Sequence, residues 1–377
     1  MKKIALVGSC GSIGRQVADV VRRSAGEFSL CALISNRSLE TFNAQIAEFK
    51  PSFAVLTDRD AVKGIIAPRE TKVLSGEDGA LEALGECGAD IVFVACGGFA
   101  GLKYSLKAVE TGARLALANK ETLVCGGDII MPLVGELVPV DSEHSAIWQC
   151  LNFERRAPFE RLIITASGGP FRGRKFADLK GVKAADALRH PTWKMGAKIT
   201  VDSATLLNKG YEIIEAHHLY NAPYSRIKAV IQPQSLVHSM VEFADGAVLA
   251  QLSNPSMELP IQLALTYPGR CRSGVAKMDF TRAFSLDFMP LERGQYPMYD
   301  LALECGRRGG IMPTVLNAAS EIAVGAFLRD SIGFTDIYEI SADVVAATPY
   351  ARAESYSQLC EADGAARRLA ARHIKGV

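Results

Sequence analysis

Lys2-Lys3-Ile4-Ala5-Leu6-Val7-Gly8-Ser9-Cys10-Gly11-Ser12-Ile13-Gly14 decides the fold of the first third of this chain. Ile4 to Val7 is a short apolar run of strand type, and a helical pattern follows from Ile13 to about Arg23. Between them lies a G-x-x-G-x-x-G turn. Strand, glycine turn and helix in that order form a dinucleotide-binding unit. The glycines let backbone approach a pyrophosphate, and the helix start presents free N–H groups to it. The spacing is a relative of G-x-G-x-x-G, and its value comes from the flanks rather than the glycines alone.

Working outward, further strands are expected at Phe28–Ile34, Phe53–Leu56, Ile91–Ala95, Leu115–Ala118 and Leu137–Val140, with helical segments between them. Continuous apolar strands of this kind belong in a parallel sheet covered on both faces. The second strand ends where a ribose is read. An NAD site usually has a carboxylate there, whereas this chain has Ser35-Asn36-Arg37-Ser38. A guanidinium flanked by hydroxyls suits a 2′-phosphate, so NADPH is expected; the structural alternative is an ordinary polar turn. Gly97-Gly98 and Asn119-Lys120-Glu121 also lie just past strand ends. Asn119 suits a carboxamide and Lys120 a phosphate or developing oxyanion, against the plainer reading of Lys120-Glu121 as a solvated helix start.

Composition bounds the rest. The 377 residues are 49% hydrophobic and 22% charged with net charge +1, which describes a globular chain of two or three domains. No strong basic or acidic run points to nucleic acid or a membrane surface. No apolar run is long enough to span a bilayer, and the N-terminus enters a strand at once, leaving no room for a signal peptide. Nine cysteines without a C-x-x-C pair read as reduced thiols, so a cytoplasmic location is expected.

Two stretches carry candidate chemistry. In Val140-Asp141-Ser142-Glu143-His144, Asp141 and Glu143 are i, i+2 at a strand end, so in extended backbone their carboxylates share one side. Two such groups repel unless one is protonated or a cation lies between them. The plain alternative has Asp141 or Ser142 capping a helix over Ala146–Leu151. In His190–Glu215, HPTWKMGAKITVDSATLLNKGYEIIE, a cap at Asp202 or Thr205 would start a helix near Leu206 and put Lys209, Glu212 and Glu215 on one face. Ser203, Asn208 and Lys209 then sit by a helix N-terminus that favours an anion. The alternative is a capped helix with a surface Lys–Glu pair. Glu212 or Glu215 with Asp141 and Glu143 gives three oxygen ligands for a hard ion such as Mg²⁺ or Mn²⁺. His144 reads as a hydrogen-bonding neighbour of that site. The adjacent His217-His218 lack the i, i+4 spacing of a zinc helix.

The middle segment, from about Phe153 to Gly269, reads as α+β. A strand over Leu162–Ala166 runs into Ser167-Gly168-Gly169-Pro170-Phe171, a loop able to wrap an anion or, on the plainer reading, a tight turn. Strands at Ile227–Ile231, Leu236–Phe243 and Val248–Leu252 would form a second sheet, with His238 structural. Pro191 and Gly196 bracket Trp193 and Met195 in a run with no period, the pattern of a mobile cover, although Trp193 also suits a core. The chain closes with helical patterns near Met298–Arg307, Thr314–Arg329, Phe334–Ala347 and Ala353–Arg372, a bundle with no evident chemistry.

Taken together, GSCGSIG, LANKETLV, VPVDSEHSAI, TASGGPF, HPTWKMGAKITVDSATLLNKGYEIIEA, PQSLVHSM and LNAASEIAV resemble the 1-deoxy-D-xylulose 5-phosphate reductoisomerase family over essentially the whole chain. The resemblance implies a Rossmann-like NADPH-binding domain (1–131), a central α+β catalytic and dimerisation domain (132–269), a linker (270–292) and a C-terminal helical domain (293–377), assembled as a homodimer. It implies Asp141, Glu143 and Glu212 as ligands of Mg²⁺, Mn²⁺ or Co²⁺, with Glu215 only a neighbour. Lys120, Ser142 and Glu143 would meet the substrate. Ser167, His190, Ser203, Asn208 and Lys209, with Glu212, would complete its site. Lys120, Glu143, His190 and Lys209 carry the implied catalytic roles. Gly8, Cys10, Gly11, Ser12, Ile13, Asn36, Arg37, Ser38, Asn119, Glu121 and Gly196 match cofactor positions, and Trp193 and Met195 the lid. Cys10 replaces the family's common Thr, and Asn36-Arg37-Ser38 its Gly-Lys-Asn, leaving basicity at Arg37.

The implied reaction converts 1-deoxy-D-xylulose 5-phosphate into 2-C-methyl-D-erythritol 4-phosphate on the non-mevalonate route to isoprenoids. The chemistry expected is a retro-aldol break of the C3–C4 bond, recombination to an aldehyde and reduction by NADPH under a closed lid. Two rivals stand beside it. One is another NADPH-dependent, metal-assisted dehydrogenase, the semialdehyde type needing a nucleophilic Cys beside a His. The other is a non-enzymatic NADPH-binding regulator.

Overall fold

The computed structural model describes residues 1–24, 26–151, 158–193, 195–292 and 294–376. Phe153, where the middle segment is expected to begin, and Lys194 of the lid stretch lie outside them. The chain divides into two compact units. The first comprises Met1–Thr122, Pro132–Ser145 and Ser256–Val275; the second comprises Leu123–Met131, Ala146–Pro255 and Ala276–Val377.

The first unit begins β1 (Lys2–Val7), α1 (Ser12–Arg23), β2 (Phe28–Ser35), α2 (Leu39–Phe49) and β3 (Phe53–Leu56). It continues with β4 (Lys72–Ser75), α3 (Gly76–Glu86), β5 (Ile91–Val94), α4 (Gly101–Glu110) and β6 (Arg114–Leu117). Next come α5 (Lys120–Ile130), β7 (Leu137–Pro139) and α6 (Ser142–Cys150); α5 and α6 each begin in the first unit and end in the second. The seven strands are parallel in the order β4-β3-β2-β1-β5-β6-β7. β3, β5 and all of β2 but Ser29 are buried, which is why they read as unbroken apolar runs. α1 buries Gly14, Val17, Ala18 and Val21, the i, i+3, i+4, i+7 stripe of a helix laid on a sheet. Strand order reverses between β1 and β5, so the crevice beyond their C-terminal ends is the ligand-binding position of this architecture.

β4 is not anticipated by the sequence pattern. It is an edge strand with exposed Lys72 and Val73, so it lacks the apolar run that marks its neighbours.

In the second unit, β8 (Arg161–Ala166) leads through the short helix α7 (Ala184–Ala187) to α8 (Ala197–Ala204) and α9 (Leu207–Tyr220). β9 (Ile227–Ile231), β10 (Val237–Glu242) and β11 (Val248–Leu252) follow, then α10 (Glu258–Thr266), which returns to the first unit, and β12 (Met289–Pro290). The second sheet has the order β11-β10-β8-β9-β12, with β8 and β9 parallel and the other pairs antiparallel. α11 (Pro297–Arg308), α12 (Met312–Leu328), α13 (Asp336–Ala347) and α14 (Tyr356–Gly376) complete the helical part. No helix of the described residues is long and apolar enough to cross a membrane.

Two local expectations change. Asp202 does not cap α9; it lies inside α8, and Leu206 in left-handed backbone (φ 56) separates the two helices. Thr205 does reach the start of α9, its Oγ1 accepting from Leu207 N at 3.4 Å. Likewise Glu143 is not in extended backbone but in the first turn of α6. Asp141 and Glu143 still meet, their ligand oxygens lying within 4.8 Å, because the chain turns into a helix between them.

Candidate active-site residues

The glycine loop of the first unit is shaped by contacts that only glycine permits at two positions. Gly8 has φ 86, and a Cβ there would come 2.6 Å from Cys96 N, so β1 and β5 crowd together at the crevice. A Cβ on Gly14 would overlap the Gly8 carbonyl oxygen and lie 2.7 Å from the Ser9 carbonyl carbon, so α1 starts in direct contact with the loop. Gly8 N and Ser9 N donate to Ile34 O at 2.8 and 3.1 Å, tying the loop to the end of β2. Gly11 and Ser12 are exposed, and Ile13 is half-buried. Cys10 turns inward at 7% exposure, its thiol 3.7 Å from Ser38 O and 3.8 Å from Gln45 Oε1. Its side chain therefore braces the loop against α2. Asn36, Arg37 and Ser38 are exposed, and Arg37 has no ion pair among the described residues, which leaves its guanidinium available to an anion.

Sequence reasoning missed Gln45, whose Nε2 donates to Ser9 O at 2.9 Å. The available signal was a polar residue on the otherwise apolar face of α2, where Phe42 and Ile46 are also buried.

Asn119, only 1% exposed, works as a clamp. Its Nδ2 donates to Cys96 O and Gly98 O, both at 3.0 Å, and to Glu121 Oε2 at 2.7 Å. Its Oδ1 accepts from Thr122 N at 2.9 Å and Thr122 Oγ1 at 2.6 Å, capping α5. The amide thus fixes the loops after β5 and β6 rather than standing free. Lys120, next in sequence, reaches Asp141 Oδ2 at 2.7 Å. Burial works to raise the Asp141 carboxyl, but the Lys120 ammonium and then His144 hold it well below the usual carboxylate range. Ser142 Oγ donates to Glu143 Oε2, and His144 is fully buried behind them.

The second unit gathers residues far apart in sequence. His190 Nε2 lies 3.1 Å from both Ser167 Oγ and Ser203 Oγ. Its Nδ1 accepts from Thr192 N at 3.2 Å and Trp193 N at 2.9 Å. Accepting at Nδ1 puts the proton of the neutral ring on Nε2, facing the two hydroxyls. Burial lowers the His190 pKa, which favours the neutral ring. Ser203 sits in the last turn of α8, while Asn208 and Lys209 open α9.

Glu212 is 1% exposed and Lys209 4%, and the two form a direct ion pair. Asn208 Nδ2 donates to the other Glu212 oxygen at 2.5 Å, while Asn208 Oδ1 is buried with no hydrogen-bond partner among the described residues. Glu215 is buried one turn on. Trp193 is half-buried, edge-on to His238 at 6.2 Å, with Met195 half-buried and Gly196 exposed at the start of α8. His238 is held by Ser253 Oγ at 2.8 Å, in keeping with a structural role.

The comparisons with known proteins agree along the chain. The family model for 1-deoxy-D-xylulose 5-phosphate reductoisomerase matches residues 4–127, and two models of that family's C-terminal domain match 137–220 and 252–369. A 1-deoxy-D-xylulose 5-phosphate reductoisomerase of Chlorobaculum tepidum is 48% identical over 344 residues, 89% of this chain and 90% of its own length. The solved reductoisomerase of Zymomonas mobilis in complex with NADPH is 37% identical with a TM-score of 0.91, each chain covered in full. A further reductoisomerase, solved with NADPH, fosmidomycin and magnesium, is 34% identical with a TM-score of 0.92, covering 100% of this chain and 98% of its own.

Proposed function

The chain belongs to the 1-deoxy-D-xylulose 5-phosphate reductoisomerase family, and from that premise we propose that it converts 1-deoxy-D-xylulose 5-phosphate to 2-C-methyl-D-erythritol 4-phosphate with NADPH and a divalent metal. One observation carries the reading. Two of the three carboxylates of the implied metal set already have an internal cation beside them: Lys120 on Asp141, and Lys209 on Glu212. A hard divalent ion fits the set, because all three offer carboxylate oxygens and two of them lie where positive charge is already held. Asp141, Glu143 and Glu212 would hold that ion.

When bound, the metal polarises the substrate's carbonyl and hydroxyl oxygens, and NADPH supplies the hydride. The chain does the rest. The glycine loop and the exposed Arg37 seat the pyrophosphate and the 2′-phosphate, with Gly8, Cys10, Gly11, Ser12, Ile13, Asn36 and Ser38 around them. Asn119 and Glu121 fix the crevice wall of the first unit, and Gly196 of the second unit is a further proposed cofactor position. Ser142 orients the Glu143 carboxylate. Ser167, Ser203 and the Nε2–H of neutral His190 grip the substrate's phosphate end and hydroxyls. Asn208 and Lys209 meet it at the start of α9, where the orientation of the N–H groups favours an anion. Trp193 and Met195 exclude water when the cover closes.

The division at 1–131, 132–269, 270–292 and 293–377 is kept as the functional one. We assign a homodimer through the edge strand β11, whose Val248 and Leu249 are 48% and 47% exposed, a combination that a partner strand would cover. Its soluble phosphate substrate fits a cytoplasmic enzyme. The thiol-dependent rival gains no support: burial pushes the Cys96 thiol, beside the crevice, up to about 12, far from a thiolate at neutral pH.

The test is NADPH oxidation with 1-deoxy-D-xylulose 5-phosphate, with and without Mg²⁺, on wild type and Glu212→Gln. Metal-dependent turnover that collapses in the variant is expected. A folded, NADPH-binding wild type that turns nothing over with metal present would sink the assignment.

A further inference from the structure

The segment after the Ser167 loop carries a charge pattern that the reaction as described does not use. Between Phe171 and Arg189 stand six exposed cations, Arg172, Arg174, Lys175, Lys180, Lys183 and Arg189, against two acids, Asp178 and Asp186. Asp186 is engaged by Arg189 at 3.8 Å and by Lys183 N at 3.3 Å. Arg172, Lys175, Lys180 and Lys183 have no carboxylate partner among the described residues. A solvated face of this size more often mixes both signs, so an unneutralised run beside an anion site calls for a cause.

Arg172 links the run to the site. Its Nη1 donates to Ser167 O at 3.0 Å, and Ser167 Oγ is the hydroxyl that meets His190. Its aliphatic stem lies on Gly168, which has φ 84 and no room for a side chain: a Cβ there would come 2.9 Å from Arg172 Cδ. The Tyr296 hydroxyl donates to Gly168 O at 3.4 Å from the other side. The guanidinium is therefore held beside the loop whose Ser167 hydroxyl meets His190. One of its five donors is spent on the loop, and the side chain is exposed.

We propose that Arg172, backed by Lys175, Lys180 and Lys183, is a specificity-determining residue that draws the phosphate dianion of the substrate toward Ser167 and His190. The inference rests on the reaction proposed above, and it concerns capture rather than chemistry. Cations flanking a pocket raise the encounter rate of an anion and do so less at high salt, whereas they leave an uncharged ligand unaffected. Arg172 is accordingly a positioning and capture residue.

The experiment compares wild type, Arg172→Gln, Arg172→Lys and the triple variant Lys175→Gln/Lys180→Gln/Lys183→Gln. Each is assayed with NADPH and Mg²⁺ at low and high salt, on 1-deoxy-D-xylulose 5-phosphate and on the same sugar without its phosphate. Wild-type turnover on the phosphorylated sugar settles the underlying reaction first, so its absence is a failure of that reading and not of this one. For Arg172→Gln, kcat/KM on the phosphorylated sugar is expected to fall about tenfold at low salt, with kcat within about twofold. The loss shrinks at high salt, Arg172→Lys recovers most of it, and the triple variant shows a smaller loss of the same kind. Equal losses on both sugars would mean that Arg172 merely props the loop, and a salt-independent loss or none at all would equally overturn the proposal.

Discussion

Replacing Asn119 tests whether one buried amide sets the shape of the cofactor crevice. Asn119→Ala removes the cap of α5 at Thr122, which costs about 1 kcal/mol. The carbonyls of Cys96 and Gly98 are half-exposed positions where water can replace the lost donor, so together they add about 1 kcal/mol. The Glu121 carboxylate, 9% exposed, loses a donor at 2.7 Å, a charge-assisted bond worth about 1.5 kcal/mol or more. The variant should be less stable by about 3.5 kcal/mol in urea unfolding, and NADPH affinity, read by fluorescence titration, should drop about tenfold as the crevice wall relaxes. Asn119→Asp sharpens the test. It keeps the acceptor for Thr122 but turns an oxygen toward the Glu121 carboxylate and two carbonyl oxygens. Repulsion raises the pKa of the new pair, so the added instability is present at neutral pH and relieved as pH falls and one carboxyl protonates. An aspartate variant as stable as wild type at pH 7, with NADPH affinity within about twofold, would refute the clamp reasoning.

Other outcomes follow from the same geometry. Gly14→Ala forces a methyl into the Gly8 carbonyl, so NADPH binding by calorimetry should weaken more than tenfold even where circular dichroism shows a folded chain. His218 is packed against Gly127 and largely shielded from water, and burial, then its neighbour His217, lowers its pKa to about 4. Its folded-state pKa lies below the unfolded value, so stability should decline as pH falls from about 6.5 to 4, by up to roughly 3 kcal/mol. Thermal denaturation of His218→Phe should lose that segment of the pH dependence. Glu212→Gln leaves Lys209 buried against a neutral amide. Mg²⁺ should then bind more than tenfold more weakly by competition with a fluorescent chelator, with the melting temperature lowered as well.

Much of this was legible in the sequence, and the rest was hidden for definite reasons. The buried strands announced themselves as apolar runs, and the glycine loop as a break between strand and helix. β4 was hidden by its exposed edge. α8 was hidden because Ile199-Thr200-Val201 is a β-branched run that reads as extended, and tertiary packing overrides that preference. α10 was not anticipated either, since Pro260 stands in its first turn. At the site, Asp141 and Glu143 were paired correctly through the wrong backbone, because a helix start brings them together as readily as a strand. No spacing rule places His190 between Ser167 and Ser203, 23 and 13 residues away, and only the family resemblance supplied that link.

The lysines beside Asp141 and Glu212 have a consequence for how the protein matures. Asp141 and Glu212 enter partly dry surroundings during folding, and each does so already matched to an ammonium from its own chain. A newly made polypeptide can therefore complete its fold with no ion within reach. Loading afterwards is an exchange of one cation for another rather than a rescue of stranded negative charge, so assembly of the chain need not wait on the supply of metal.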